Sequence, residues 1–276
     1  MKAVRIQRFG SAEVISIDEV PKPEPGSGEV IVRIKAAGVG PWDAMIRRGK
    51  SVLPQPLPLT LGSDLSGVID SIGVGVEEFN IGDEVFGVTI ERFTGAYAEY
   101  AVAKATMLAP KPKIVNHVHA ASVPVVAVTA WQMIFDFAQL SSGQSVLVHG
   151  GVGNVGGYAV QLAKRAGAVV IATASVENDS YVRRLGADGV IDYRTIRFEE
   201  RVKEIDVVID TVGGEALDRS YGVLKRGGIV VSSATQPSNE KAAQYGVRAV
   251  FFLVQVTTER LTKIAEMIDA GELKTE

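Results

Sequence analysis

Between Ser145 and Thr173 the chain reads Ser-Val-Leu-Val-His-Gly-Gly-Val-Gly-Asn-Val-Gly-Gly-Tyr-Ala-Val-Gln-Leu-Ala-Lys-Arg-Ala-Gly-Ala-Val-Val-Ile-Ala-Thr, and this stretch narrows the available folds more than any other. Val146 to Val148 form a short apolar run that stops at glycine. Val155, Ala159, Leu162, Ala163 and Ala166 then recur at the three-and-four spacing of one helix face. Gly167 ends that helix, and Val169 to Ala172 follow as a second buried strand. Strand, tight turn, helix and strand are thereby set in order. At the turn, Gly151, Gly153 and Gly156 satisfy G-x-G-x-x-G, the fingerprint of a dinucleotide-binding unit. The first glycine is expected to permit the turn, the second to let the backbone approach a pyrophosphate, and the third to let helix pack on strand. The phosphates would then meet the N–H groups at the helix start, around Asn154 and Val155. An ordinary turn without a ligand is the competing reading. A phosphate loop for ATP or GTP is set aside, because no Lys-Ser or Lys-Thr follows the glycines.

The rest of the chain divides on either side of a change in pattern near residue 115. Lys2 to Arg8, Ile15 to Val20 and Val30 to Ala36 alternate apolar and polar residues, with Pro21, Pro23, Pro25 and Gly26 breaking the chain between them. A short helix is predicted over Asp43 to Arg48 with Pro41 at its first turn. Further strands follow at Gly67 to Ile72, Glu84 to Val88 and Tyr97 to Ala101, a spacing that predicts a barrel. Ala120 to Phe137 reads as helical, broken at Pro124. After Thr173 strands and helices alternate: strands at Val190 to Tyr193, Asp206 to Thr211, Ile229 to Ser233 and Ala249 to Val254, helices at Tyr181 to Leu185, Glu215 to Leu224 and Thr258 to Asp269. Six strands of this kind predict a doubly wound parallel sheet of order 3-2-1-4-5-6. The expected domains are residues 1–114 and 115–276.

Composition excludes several classes of function. A net charge of -3 and a pI near 5.8 provide no basic stripe, so nucleic acid and anionic membranes are not expected partners. The chain has no cysteine, which removes disulfides and thiolate metal sites. It opens directly in a strand pattern, with no signal-like apolar segment and no run long enough to cross a bilayer, so the expected location is cytoplasmic.

Barrel first and dinucleotide sheet second, the chain resembles the medium-chain dehydrogenases/reductases, and within them the zinc-free branch of quinone oxidoreductases. The resemblance is carried by Ala36-Ala37-Gly38-Val39 with Pro41-x-Asp43, Leu61-Gly62-Ser63-Asp64 with Gly67, Gly82-Asp83-Glu84-Val85, Gly95-x-Tyr97-Ala98-Glu99-Tyr100, Thr129-Ala130-Trp131, the Ser145 block, Leu185-Gly186-Ala187-Asp188 and Asp210-Thr211-Val212-Gly213-Gly214. It implies an α/β chain with a GroES-like β-barrel domain followed by a doubly wound Rossmann domain. Zinc-dependent relatives place a cysteine after the Ala-Gly-Val segment and Gly-His-Glu where this chain has Gly62-Ser63-Asp64; here Gly40, Pro41 and Trp42 follow Val39, so no metal is expected. His117-x-His119 reads as a surface or helix-start pair.

An NAD-specific sheet ends its second strand with Asp or Glu, whereas this chain has Thr173-Ala174-Ser175. A serine hydroxyl can donate to a 2′-phosphate that a carboxylate would repel, which favours NADPH. Ser175 as a plain turn or cap residue is the alternative. Tyr193 matches the family tyrosine against that phosphate, and Asn178, between Glu177 and Asp179, stands where some relatives carry lysine. The resemblance also implies contacts from Thr129 to the nicotinamide ribose, and from the segments of Ala234 and of Phe251 to Leu253 to the carboxamide. The expected reaction is hydride transfer to a quinone or α,β-unsaturated carbonyl in the cleft between barrel and sheet. A non-catalytic, crystallin-like NADPH-binding protein and a zinc alcohol dehydrogenase are the alternatives.

Gly40 stands where relatives carry an asparagine, and Trp42 either lines the substrate pocket or is a buried barrel aromatic. Asp43 and Arg47 are expected to form an ion pair along their helix. Tyr221-x-x-x-Lys225 has the spacing of a short-chain dehydrogenase pair without its context. No general acid is named. The resemblance implies a further helix and strand returning to the barrel after the last helix; either a truncated form or a barrel that closes differently is expected here, and the sixth strand, as an apolar sheet edge, predicts a homodimer.

Overall fold

The structure, a computed structural model, describes residues 1–275 and contains two compact units, Met1–Val125 with the segment from Val256, and Val126–Gln255. In chain order the first unit contributes β1 (Lys2–Ile6), β2 (Ile15–Glu19), β3 (Glu29–Ala37), α1 (Pro41–Arg47), β4 (Leu59–Thr60), β5 (Asp64–Ile72), β6 (Glu84–Val88), β7 (Tyr100–Lys104), β8 (Leu108–Pro110) and α2 (His117–Ala121). Helix α3 (Pro124–Trp131) and a π-helical turn at Gln132–Phe137 carry the chain into the second unit, split from α2 at the proline as expected.

The strands of the first unit form two antiparallel sheets, β2-β1-β4 and β7-β3-β5-β6-β8. Val30 and Val32 of β3 pack on Leu65, Ile69, Val85 and Leu108 in one apolar cluster. A second cluster joins Ile6, Leu59 and Leu61 to Ile46 of α1, with Trp42 and Tyr97 packed against it. Gly67 of β5 lies so close to β3 that a Cβ there would come within 2.3 Å of the Arg33 carbonyl oxygen.

The second unit continues with β9 (Ser145–His149), α4 (Asn154–Arg165), β10 (Val169–Ala174), α5 (Asp179–Arg184), β11 (Gly189–Asp192), β12 (Ile205–Asp210), α6 (Gly214–Ser220), β13 (Leu224–Ser232), α7 (Asn239–Tyr245) and β14 (Arg248–Phe251). Its six strands lie in the order β11-β10-β9-β12-β13-β14, all parallel, which is the predicted 3-2-1-4-5-6. Such strands are apolar on both faces, and Val146, Leu147 and Val148 are fully buried. His149, which ends β9, is buried between Thr173 Oγ1 (3.3 Å) and Ser220 Oγ (2.9 Å), and burial lowers its pKa to about 4. No helix among the described residues is long and apolar enough to cross a membrane.

Several sequence expectations differ from these elements. The sixth strand ends at Phe251 rather than Val254, because the chain leaves the ladder where the Phe252 ring packs on Phe137 at 4.6 Å. Helix α7 has no apolar stripe to announce it; the Ser238 side chain caps it. Tyr221 is buried, its hydroxyl accepting from Ser238 N–H at 2.8 Å, while Lys225 pairs with Asp206, so the tyrosine–lysine spacing carries no catalytic pair.

The chain also returns to the first unit at Val256, whereas the sequence reading kept residues 115–276 together. Helix α8 (Thr258–Asp269) packs on β8, burying Leu261, Ile264 and Ile268. Thr258 Oγ1 donates to the Ala105 carbonyl at 3.2 Å, and Asp269 Oδ1 accepts from Lys113 N–H at 2.6 Å and Ile114 N–H at 3.1 Å. Truncating Ile264 to alanine should therefore cost about 2–5 kcal/mol. Hydrogen exchange should speed up in β6 and β8 and leave β9 to β13 unchanged; acceleration of the second sheet instead would contradict this packing.

Candidate functional site

In the second unit the candidate nucleotide residues lie along the carboxyl ends of the strands. Gly153 caps α4 without any side-chain bond, so the first-turn N–H groups of Asn154, Val155 and Gly156 have no intrahelical acceptor and carry the positive end of the helix dipole. The turn itself is pinned: Gly150 N–H donates to Thr173 Oγ1 at 3.1 Å, Gly151 N–H to the Thr173 carbonyl at 3.0 Å, and Gly153 N–H to the Gly150 carbonyl at 2.8 Å.

The glycines divide their duties differently from the expectation. The left-handed position is Gly150, at φ +74°, not Gly151. Gly151 is needed for room, since a Cβ there would stand 2.9 Å from the Ala172 methyl. At Gly156 a Cβ would come within 2.1 Å of the Gly150 carbonyl oxygen, which is the close helix–strand contact expected of the third glycine. At Gly153 the nearest atom would be 3.3 Å away, so its surroundings are open. A pinned turn, an uncapped helix start and an open approach fit a diphosphate.

Strands β10 and β11 pair in parallel with Ala174 opposite Asp192, so Ser175 and Tyr193 leave neighbouring strands together. Ser175 is buried and its Oγ accepts from Asn178 Nδ2 at 3.0 Å, while Tyr193 is exposed. Beyond β13, Ala234 N–H donates to Ser232 Oγ at 3.2 Å, and that hydroxyl donates to the buried Asp210 at 2.6 Å. Phe251 ends β14 half-buried, Leu253 lies past it and exposed, and Thr129 is buried on α3. Candidate residues on β9, β10, β11, β13 and β14 thus share one edge of the sheet.

The first unit holds a buried polar cluster that spacing could not reveal. Trp42 Nε1 donates to Ser63 Oγ at 2.9 Å, and Ser63 Oγ donates to Asp64 Oδ2 at 2.6 Å. Asp64 Oδ1 accepts from Val125 N–H at 2.8 Å. Beside them Asp43 Oδ2 accepts from Gly40 N–H at 2.8 Å and the Tyr97 hydroxyl at 2.9 Å, so Asp43 is held by these groups and not by the expected pairing with Arg47. The Trp42 indole lies over Gly40, where any Cβ would stand 2.3 Å from the ring; Gly40 is required by space, as its φ of -123° is open to every residue. Trp42 is therefore also a packing aromatic, half-buried against the Ile46 cluster.

This donor set does not suit zinc. Gly40 offers no ligand, both Asp64 oxygens and the Ser63 hydroxyl are already committed, and no group of three or more His, Cys, Asp or Glu is gathered among the described residues. His117 and His119, at the start of α2, turn to different partners, Ser66 Oγ at 2.8 Å and the Thr275 carbonyl at 3.1 Å.

Burial raises the pKa of Asp43, and pushes that of Asp64 up to about 7, with the Asp43 charge adding to the effect. Burial and then Asp43 raise that of Tyr97. A carboxyl raised in the fold keeps its proton longer there than in the unfolded chain, so it costs stability as pH climbs from about 4 to about 7. Over that window wild type should lose up to about 4 kcal/mol relative to Asp64→Asn in denaturant unfolding. Parallel pH profiles for the two proteins would contradict the assignment.

Comparison with known proteins agrees with this geometry. Residues 26–113 match the alcohol dehydrogenase GroES-like domain, and residues 154–264 match the zinc-binding dehydrogenase family. A quinone oxidoreductase of Mus musculus is 32% identical over 98% of this chain and 86% of its own length. An NADPH-dependent alkenal/one oxidoreductase of Arabidopsis thaliana, chloroplastic, is 33% identical over 99% of this chain and 71% of its own. The solved quinone oxidoreductase of Coxiella burnetii superimposes with a TM-score of 0.93 at 34% identity, covering 100% of this chain and 90% of that one. The two-unit architecture, the glycine turn and these likenesses together place the chain in the quinone oxidoreductase family of the medium-chain dehydrogenases/reductases, to which it belongs.

Proposed function

We propose that the chain is an NADPH-dependent, zinc-independent oxidoreductase acting on quinones or α,β-unsaturated carbonyls, small molecules like those its relatives are named for. The observation that carries this reading is the uncapped start of α4 above a turn closed by Gly150 and Gly156. There the first-turn N–H groups would hold a diphosphate, and Ser175 and Tyr193 would border the adenosine ribose at the ends of β10 and β11. No carboxylate directly ends β10, where Ala174 and Ser175 stand.

When bound, the nicotinamide supplies the hydride. The protein's part is positioning: near-attack geometry alone is worth about 7–11 kcal/mol of a barrier. A conjugated acceptor spreads the arriving charge over its own π system, which lessens the need for a Lewis acid. Gly40 and the Trp42 indole shape the substrate side, with Trp42 fixed by Ser63. Thr129, Ala234 and the Phe251 to Leu253 segment are assigned to the nicotinamide end. The proposal includes a homodimer through β14, which ends the sheet and pairs with β13 alone among the described strands.

Oxidation of NADPH, followed at the nicotinamide absorbance against a panel of quinones and enones, tests the reaction. Turnover should favour NADPH over NADH by about tenfold in kcat/KM, the worth of a charge-assisted contact. Equal values would refute the roles of Ser175 and Tyr193, and cofactor binding without turnover across the panel would favour a non-catalytic NADPH-binding protein.

A further inference from the structure

At the ends of β10 and β11 an anion position is already occupied by the chain itself. Arg194 Nη1 lies 2.9 Å from one oxygen of Glu177 and 3.2 Å from the other. Its guanidinium carbon stands 5.8 Å from the centre of the Tyr193 ring. The Ser175 hydroxyl and then Arg194 hold the Glu177 carboxyl below the usual carboxylate range, and the Tyr193 hydroxyl joins Glu177 in raising that of Arg194. Asn178 Nδ2 binds Ser175 Oγ beside this pair. The cation beside the tyrosine assigned to a 2′-phosphate is therefore already paired with an internal carboxylate.

We propose that the Glu177 carboxylate stands in the 2′-phosphate subsite and competes with that phosphate for Arg194. Arg194 is then the cation of the subsite, and Glu177 is the residue that limits preference for the phosphorylated cofactor. The inference rests on the nucleotide reading above. A 2′-phosphate carries nearly twice the charge of a carboxylate and more acceptor oxygens, so it can take the guanidinium from Glu177. It cannot share the position with a charged carboxylate, because like charges in contact repel. Binding of a phosphorylated nucleotide therefore includes breaking the Glu177–Arg194 pair, a step that an unphosphorylated nucleotide avoids. Both side chains are more than half exposed, so the exchange needs no change in the core.

Calorimetric titration of the full chain with adenosine 2′,5′-bisphosphate and with 5′-AMP separates the possibilities. Glu177→Gln should tighten the bisphosphate by about fivefold to tenfold and leave 5′-AMP within about twofold. Arg194→Gln should weaken the bisphosphate by about tenfold or more, again without effect on 5′-AMP. In the double variant the gain from Glu177→Gln should vanish, since its competitor is gone. Bisphosphate affinity unchanged or reduced in Glu177→Gln, with both nucleotides bound by wild type, would overturn this inference alone. Binding of neither nucleotide by wild type would overturn the nucleotide reading and this inference with it.

Discussion

Helix α4 begins so close to the end of β9 that a single methyl group at Gly156 would collide with the Gly150 carbonyl. That contact sets the depth of the turn, and the turn sets where the helix presents its first N–H groups. Thr173 fixes the other side, binding Gly150 through its hydroxyl and Gly151 through its carbonyl, so the turn is tied to β10 as well as β9. The loops after β10, β11, β13 and β14 then take their places on the same edge because the sheet is parallel throughout. The proposed nucleotide site follows from one close approach propagated along a sheet edge.

The first unit buries a polar cluster between its sheets and α1. Two carboxyl groups, Asp43 and Asp64, are buried; each is held by N–H and O–H donors, and burial raises both pKa values. Ser63 joins the Trp42 indole to Asp64, and Gly40 leaves room for that indole. Gly40 and Trp42 are thus one unit of packing: a side chain at position 40 and the present orientation of the indole exclude each other. The short helix α1 owes its start to the same residues, with Asp43 capping through Gly40 N–H and Pro41 at the first turn.

Periodicity made the sheet legible: apolar runs bounded by glycine yielded six strands in their true order, and the spacing at Val155, Ala159 and Leu162 yielded α4. It failed where tertiary contacts decide. The apolar run through Val254 reads as strand, but Phe252 turns away to meet Phe137, and a run of letters cannot show which ring a side chain will choose. Helix α7 lacks an apolar stripe, and only its Ser238 cap was there to be read. Asp43 and Arg47 have the spacing of an ion pair, yet Tyr97, fifty-four residues away, takes the carboxylate. The competition of Glu177 for Arg194 was hidden for the same reason, since parallel pairing of β10 with β11 brings together residues seventeen apart. The return at Val256 rests on burial of α8 against β8, which its amphipathic pattern permits without naming the partner.

The central claim is that the free N–H groups opening α4 receive a dinucleotide's diphosphate. Amide resonances and hydrogen exchange of Asn154 to Gly156, followed during titration with NADP+, test it most directly. The account predicts large shifts and slowed exchange at these amides, saturating together with changes at Ser175 and Arg194. Saturable binding that leaves the Asn154 to Gly156 amides unmoved would contradict it.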